Sequence, residues 1–174
     1  TTTFYPAQSN LIDAKAVTDM ELVGDVNSEV SLTASFIKYE DNPVTEPAPN
    51  EGVKYVDVHL NVKNVTALNI LEIRIYYTAS EVSDETSLVP YWWNGTSWVQ
   101  CSDWGVNTTD VGAYGGYVWI KVGAGTSPSI FDLMGTPIAL TTATAAPIPE
   151  PPTTALVALA TAAAALAYFF LRKR

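Results

Sequence analysis

Two short runs limit the fold more than anything else in this chain. Val56, Val58, Leu60 and Val62 alternate with Asp57, His59, Asn61 and Lys63, and Leu71, Ile73, Ile75 and Tyr77 alternate with Glu72, Arg74 and Tyr76. A period of two sends apolar side chains to one side of an extended strand and polar ones to the other, which predicts antiparallel sheets with one wet face. The pattern recurs in Met20, Leu22 and Val26 against Glu21, Val23 and Asp25, and in Val30, Leu32, Ala34 and Phe36 against Ser31, Thr33 and Ser35. Asn94-Gly95, between residues 88–93 and 97–101, is a strong hairpin turn. Residues 117–122 and 137–140 supply further strands. Residues 1–6 read as an edge strand or an arm that pairs with a neighbour, and 10–16 as one helical turn. Residues 40–52, with Pro43, Pro47 and Pro49, read as a loop, and 78–87 as a polar connection. Eight or nine short strands without a long amphipathic helix predict an all-β domain over residues 1–142. Its expected form is an antiparallel β-sandwich, jelly-roll or Ig-like.

Charge narrows the range of partners. Residues 1–152 hold all 18 Asp and Glu but only six Lys or Arg, a balance of −12 that the last three basic residues bring to −9. Phosphate binding needs clustered cations, so nucleic acid is excluded as a partner on this reading. The single cysteine, Cys101, permits no intrachain disulfide and reads as a small buried hydrophobe, with an intermolecular disulfide left open.

After the domain the composition changes abruptly. Residues 143–152 form a Thr/Ala/Pro-rich linker in which Pro147, Pro149, Pro151 and Pro152 enforce an extended spacer. Nineteen residues without a formal charge follow, 153–171, and the chain closes on Arg172-Lys173-Arg174. As a helix the apolar run is about 28 Å long, close to a hydrocarbon core of roughly 30 Å. The terminal cations suit the cytoplasmic side, leaving residues 1–152 outside. Eight of the nineteen are Ala, so one such helix inserts only marginally. Ala155, Ala158, Ala162 and Ala165 offer a small-residue face for close helix packing, with Phe169 and Phe170 at its end. Residues 153–174 are therefore expected to contact membrane lipid or sister helices. The sequence begins at Thr1 without Met, which fits an export signal already removed.

The order Ile148-Pro149-Glu150-Pro151, apolar helix and basic cluster resembles the PEP-CTERM type of sorting tail read by exosortases and archaeosortases. That resemblance implies a surface protein cut near Pro149, Glu150 and Pro151 and re-attached to lipid. Residues 53–142 also resemble a β-module of archaeal and some bacterial secreted surface proteins. The resemblance rests on Tyr91-Trp92-Trp93-Asn94-Gly95-Thr96, Tyr117-Val118-Trp119 and Ser129-Ile130-Phe131-Asp132-Leu133-Met134-Gly135. It implies a structural or adhesive role and brings no catalytic residues.

Asn64-Val65-Thr66, Asn94-Gly95-Thr96 and Asn107-Thr108-Thr109 are N-glycosylation sequons at expected strand ends or turns. The aromatic group Tyr91, Trp92, Trp93, Trp98, Trp104, Tyr114, Tyr117 and Trp119 suggests either a sugar platform or cross-strand packing. Packing is the stronger reading, because alternation sends Trp92 and Trp93 to opposite faces. His59 and Asp57 share a face, yet no activated nucleophile accompanies them, and a hydrolase is not expected. Asp13, Asp19, Glu21 and Asp25, with Glu81, Asp84 and Glu85, could bind calcium, but no loop spaces its oxygens regularly, so a solvated acidic surface is the stronger reading. No other cofactor and no metal site is expected. The expected function is that of a non-enzymatic, exported and glycosylated envelope protein, anchored at its C-terminal end. It is expected to assemble as a homo-oligomer or polymer, in a lattice or filament, through its β domain and its alanine-rich C-terminal helix. The alternative is a membrane-tethered adhesive or carbohydrate-binding module.

Overall fold

The computed structural model describes residues 1–143, and they form two antiparallel sheets. In chain order the strands are β1 Thr2–Phe4, β2 Asn10–Asp13, β3 Met20–Val26, β4 Val30–Tyr39, β5 Glu51–Val62 and β6 Leu68–Tyr77. They continue as β7 Leu88–Trp93, β8 Trp98–Gln100, β9 Trp104–Asn107, β10 Gly116–Val122 and β11 Met134–Thr142. One sheet has the order β1-β4-β5-β11-β7-β8 and the other β2-β3-β6-β10-β9. The chain changes sheet after β1, β3, β5, β6, β8 and β10, which wraps both layers around one interior.

That interior comes from the alternation. Val56, Val58 and Leu60 of β5 and Ile138 and Leu140 of β11 face Leu22 of β3, Leu71, Ile73 and Ile75 of β6, and Val118 and Ile120 of β10. All are 0–3% exposed. The fold is thus all-β and sandwich-like, as expected.

Several local expectations are corrected. The described strands number eleven, not eight or nine. Asn10–Asp13 is a strand, and the helical turn, α1, is confined to Lys15–Thr18. Within residues 1–6, Thr2, Thr3 and Phe4 form an edge strand that pairs with Leu32, Ser31 and Val30 of β4. The Asn94-Gly95 hairpin is present, with Gly95 at φ 92, a conformation that a Cβ disfavours. Loop 40–50 does not trail into solvent. The indole Nε1 of Trp98, on β8, donates to the carbonyl of Glu46 at 3.0 Å, so the loop reaches past β11 and β7.

Among the described residues no helix is long and apolar enough to cross a membrane. The readings placed on Pro149, Glu150 and Pro151, on Ala155, Ala158, Ala162, Ala165, Phe169 and Phe170, and on Arg172, Lys173 and Arg174 lie outside the described residues.

Candidate functional site

Two sets of residues carry chemistry: the sequons on the surface and a group of ions at one end of the sandwich. Asn64 and Asn94 are exposed and Asn107 is half-buried, all three at strand ends. Each side-chain oxygen is bound by the Thr of its own sequon. The Thr66 hydroxyl donates to Asn64 Oδ1 at 2.7 Å, and the Thr96 and Thr109 amides donate to Asn94 Oδ1 and Asn107 Oδ1 at 2.9 and 2.8 Å. The amide nitrogens, the atoms a glycan would modify, make no hydrogen bond to the described residues. Asn94 therefore serves its turn through oxygen alone, which leaves its nitrogen available.

The ion group begins with a break in the alternation. Lys54 has the parity of Val56, Val58 and Leu60 on β5, so its stem points between the sheets, and its side chain is 2% exposed. Its ammonium donates to the Tyr76 carbonyl at 2.7 Å and to Asp19 Oδ2 at 2.9 Å, and lies 3.2 Å from both oxygens of Glu81. Asp19 caps α1 at φ 58, in the left-handed region, directly before β3. Its Oδ2 also accepts from Lys38 of β4, and its Oδ1 accepts from the Tyr114 hydroxyl at 2.9 Å. Burial pushes the Asp19 carboxyl up, but the bonds from Lys38, Lys54 and Tyr114 outweigh it and hold the group at about 2. Glu81 is also raised by burial and lowered further by the Thr78 amide and Lys54, ending below the ordinary Glu range. Burial and the neighbouring Asp19 raise the Tyr114 hydroxyl, which keeps it a donor. A polar groove of about 600 Å³ opens beside Lys54, lined by Lys38, Tyr39, Tyr55 and Glu81 among others.

Close by, on the outer face of β3 and β6, Glu21 is 5% exposed although the alternation predicts a wet position. Lys15 donates to it, Tyr76 donates from its hydroxyl at 2.6 Å, and Arg74 lies at 3.6 Å. The Tyr76 ring sits 5.1 Å from both Tyr114 and Tyr117, covering the pair. The acidic residues weighed for calcium are thus matched largely to cations: Asp13 and Glu21 to Lys15, Asp19 and Glu81 to Lys54. Asp84 instead caps the 3-10 turn Glu85–Ser87.

The aromatic group is mostly packing. Trp92 is buried and donates from Nε1 to Ser127 Oγ at 3.0 Å, while Trp98 is buried against Trp93 and Tyr55. Trp93 does lie on the face opposite Trp92. Lys121 lies over the half-buried Trp119 ring at 5.0 Å. Cys101 is 2% exposed, and burial pushes its thiol up to about 12. Asp57 is buried on the outer face of β5, where Tyr39 donates to Oδ2 at 3.3 Å and Oδ1 has no partner among the described residues.

Sequence reasoning treated Asp19, Glu21 and Glu81 as surface carboxylates and passed over Lys54. The missed signal was parity: a lysine in register with three core aliphatics must bring its own counter-ions. No protein-family model, no curated protein and no solved structure matches this chain.

Proposed function

We propose that this chain is a non-enzymatic structural protein of the cell envelope, exported, glycosylated at Asn64, Asn94 and Asn107, and held at its C-terminal end. The observation that carries the reading is the geometry of the three sequons. In each, Thr engages the Asn oxygen and leaves the nitrogen without a bond to the described residues at a strand end. The acidic balance, the proline spacer, the uncharged run 153–171 and the terminal Arg172-Lys173-Arg174 supply the anchor in the same reading. The domain then stands outside the membrane and works by assembling with copies of itself. A jelly-roll or Ig-like sandwich carried on one membrane helix is the form proposed. The PEP-CTERM-like order around Pro149, Glu150 and Pro151 makes exchange of the tail for lipid part of the proposal.

Intact mass and native size of protein taken from the envelope test this directly. The expected result is glycan on at least two sequons, with the tail retained or exchanged for lipid, in material larger than a monomer. A glycan-free monomer that stays soluble with its tail intact overturns it. The adhesive alternative predicts instead a tethered monomer that loses sugar binding when Trp119 becomes Ala.

A further inference from the structure

We infer that Lys54 and Asp19 are the two halves of an intramolecular isopeptide bond that joins the sheets covalently. The inference stands apart from the envelope reading and rests on the ion group alone. Burying an ammonium costs several kcal/mol unless its partners are well placed, and Lys54 is both 2% exposed and shared between two carboxylates. A condensation uses both, one as electrophile and one as proton carrier.

Each group required is within hydrogen-bonding reach. Lys54 can pass one proton to Asp19 Oδ2 along their 2.9 Å hydrogen bond, which sets a neutral amine beside a neutral carboxyl. The amine nitrogen forms its bond to the Asp19 carboxyl carbon, and negative charge develops on Oδ1. That oxygen already accepts from the Tyr114 hydroxyl at 2.9 Å, a fixed donor where charge appears. The bond from carbon to Oδ2 then breaks. Lys38, which donates to Oδ2, supplies the second proton with which that oxygen leaves as water, while Glu81, 3.2 Å from the nitrogen, takes the proton the nitrogen releases and passes it on. Lys38 recovers its own proton in the exchange. The balance is one ammonium and one carboxylate converted to one amide and one water, with no oxidant or reductant. The adjoining polar groove gives the water a way out. The amide retains one N–H, and the Tyr76 carbonyl, 2.7 Å from the nitrogen, is placed to accept it.

Placement adds a reason for such a link. Lys54 lies on β5 of one sheet and Asp19 leads into β3 of the other, and these strands are not hydrogen-bonded neighbours. With Cys101 the chain's single cysteine, no disulfide can staple the layers.

The test is the mass of the denatured full chain, after any glycan and lipid have been accounted for. The expected mass is one water below that of the linear sequence, and the full linear mass overturns the inference. Lys54→Arg keeps the cation but removes the nucleophile, and Glu81→Gln keeps the shape but removes the base. Both are expected to carry the full mass, and both have circular dichroism recorded to show they fold. A missing water that persists in folded Lys54→Arg points to dehydration elsewhere and also overturns it. Fragment spectra of the wild type should show one species with two amino-terminal series, joined through residues 19 and 54.

Discussion

Asp57 and Cys101 show how burial alone sets the chemistry of a side chain here. Burial raises the Asp57 carboxyl, and the Tyr39 hydroxyl and nearby His59 only partly offset it. A carboxyl whose folded value is raised favours the fold below its unfolded value of 3.8 and loses that contribution as pH rises through the folded value. Asp57→Asn should therefore raise Tm at pH 7, and the gain should shrink as pH falls toward 3.8, read by thermal melts across that range. An equal gain at every pH would assign the effect to packing instead. Cys101 makes the complementary case, because a thiol held near 12 supplies almost no thiolate at neutral pH. Iodoacetamide should leave it unmodified in the native protein and label it fully in denaturant. Rapid native labelling would mean that the site opens.

At the level of the strand, alternation was legible wherever one face is apolar and the strand is long. It located β7 and β10 to within a residue of both ends, and β5 and β6 at their C-terminal ends, but missed the first five residues of β5 and the first three of β6. It failed for β2 and β9, whose four residues each hold too few apolar positions to show a period. It also misjudged which outer faces are wet. Glu21, Tyr76 and Asp57 are buried by partners that lie far away in sequence, such as Tyr114, and periodicity cannot register them. The same limit hid the Lys54 group, whose members at 19, 38, 54, 81 and 114 meet only after the sheets stack. The edge strand β1 is pinned by one side chain. Phe4 is 1% exposed, and a Cβ on Gly24 would come within 2.2 Å of its ring, so the glycine exists to admit the phenyl group. Phe4→Ala should cost about 3–5 kcal/mol and free β1 from β4. Amide exchange should then accelerate at residues 30–32, while the pairing of β4 with β5 stays protected. Uniform acceleration through both sheets would show that β1 is integral rather than pinned.

For the whole molecule, assembly is proposed to run through the β domain and the alanine-rich tail together, and the tail's composition sets insertion against close packing. In that proposal, a helix with eight alanines among nineteen residues would insert only weakly alone but would let copies approach closely. Replacing Ala158, Ala162 and Ala165 by Leu changes both properties, in opposite directions. Each Leu adds a few tenths of a kcal/mol to insertion, and together they remove the small-residue face. In phosphatidylcholine vesicles the triple variant should therefore partition more completely than the wild type. Energy transfer between labelled copies should fall at the same protein-to-lipid ratio. Residues 1–143 alone should remain in the aqueous phase, since they contain all eleven described strands and the core between them. If energy transfer rises along with partition, bulk hydrophobicity rather than the alanine face brings copies together. Equal energy transfer from the anchored wild type and the variant would place self-association in the sheets, where the edge of β4 beyond its pairing with β1 is the next surface to mutate.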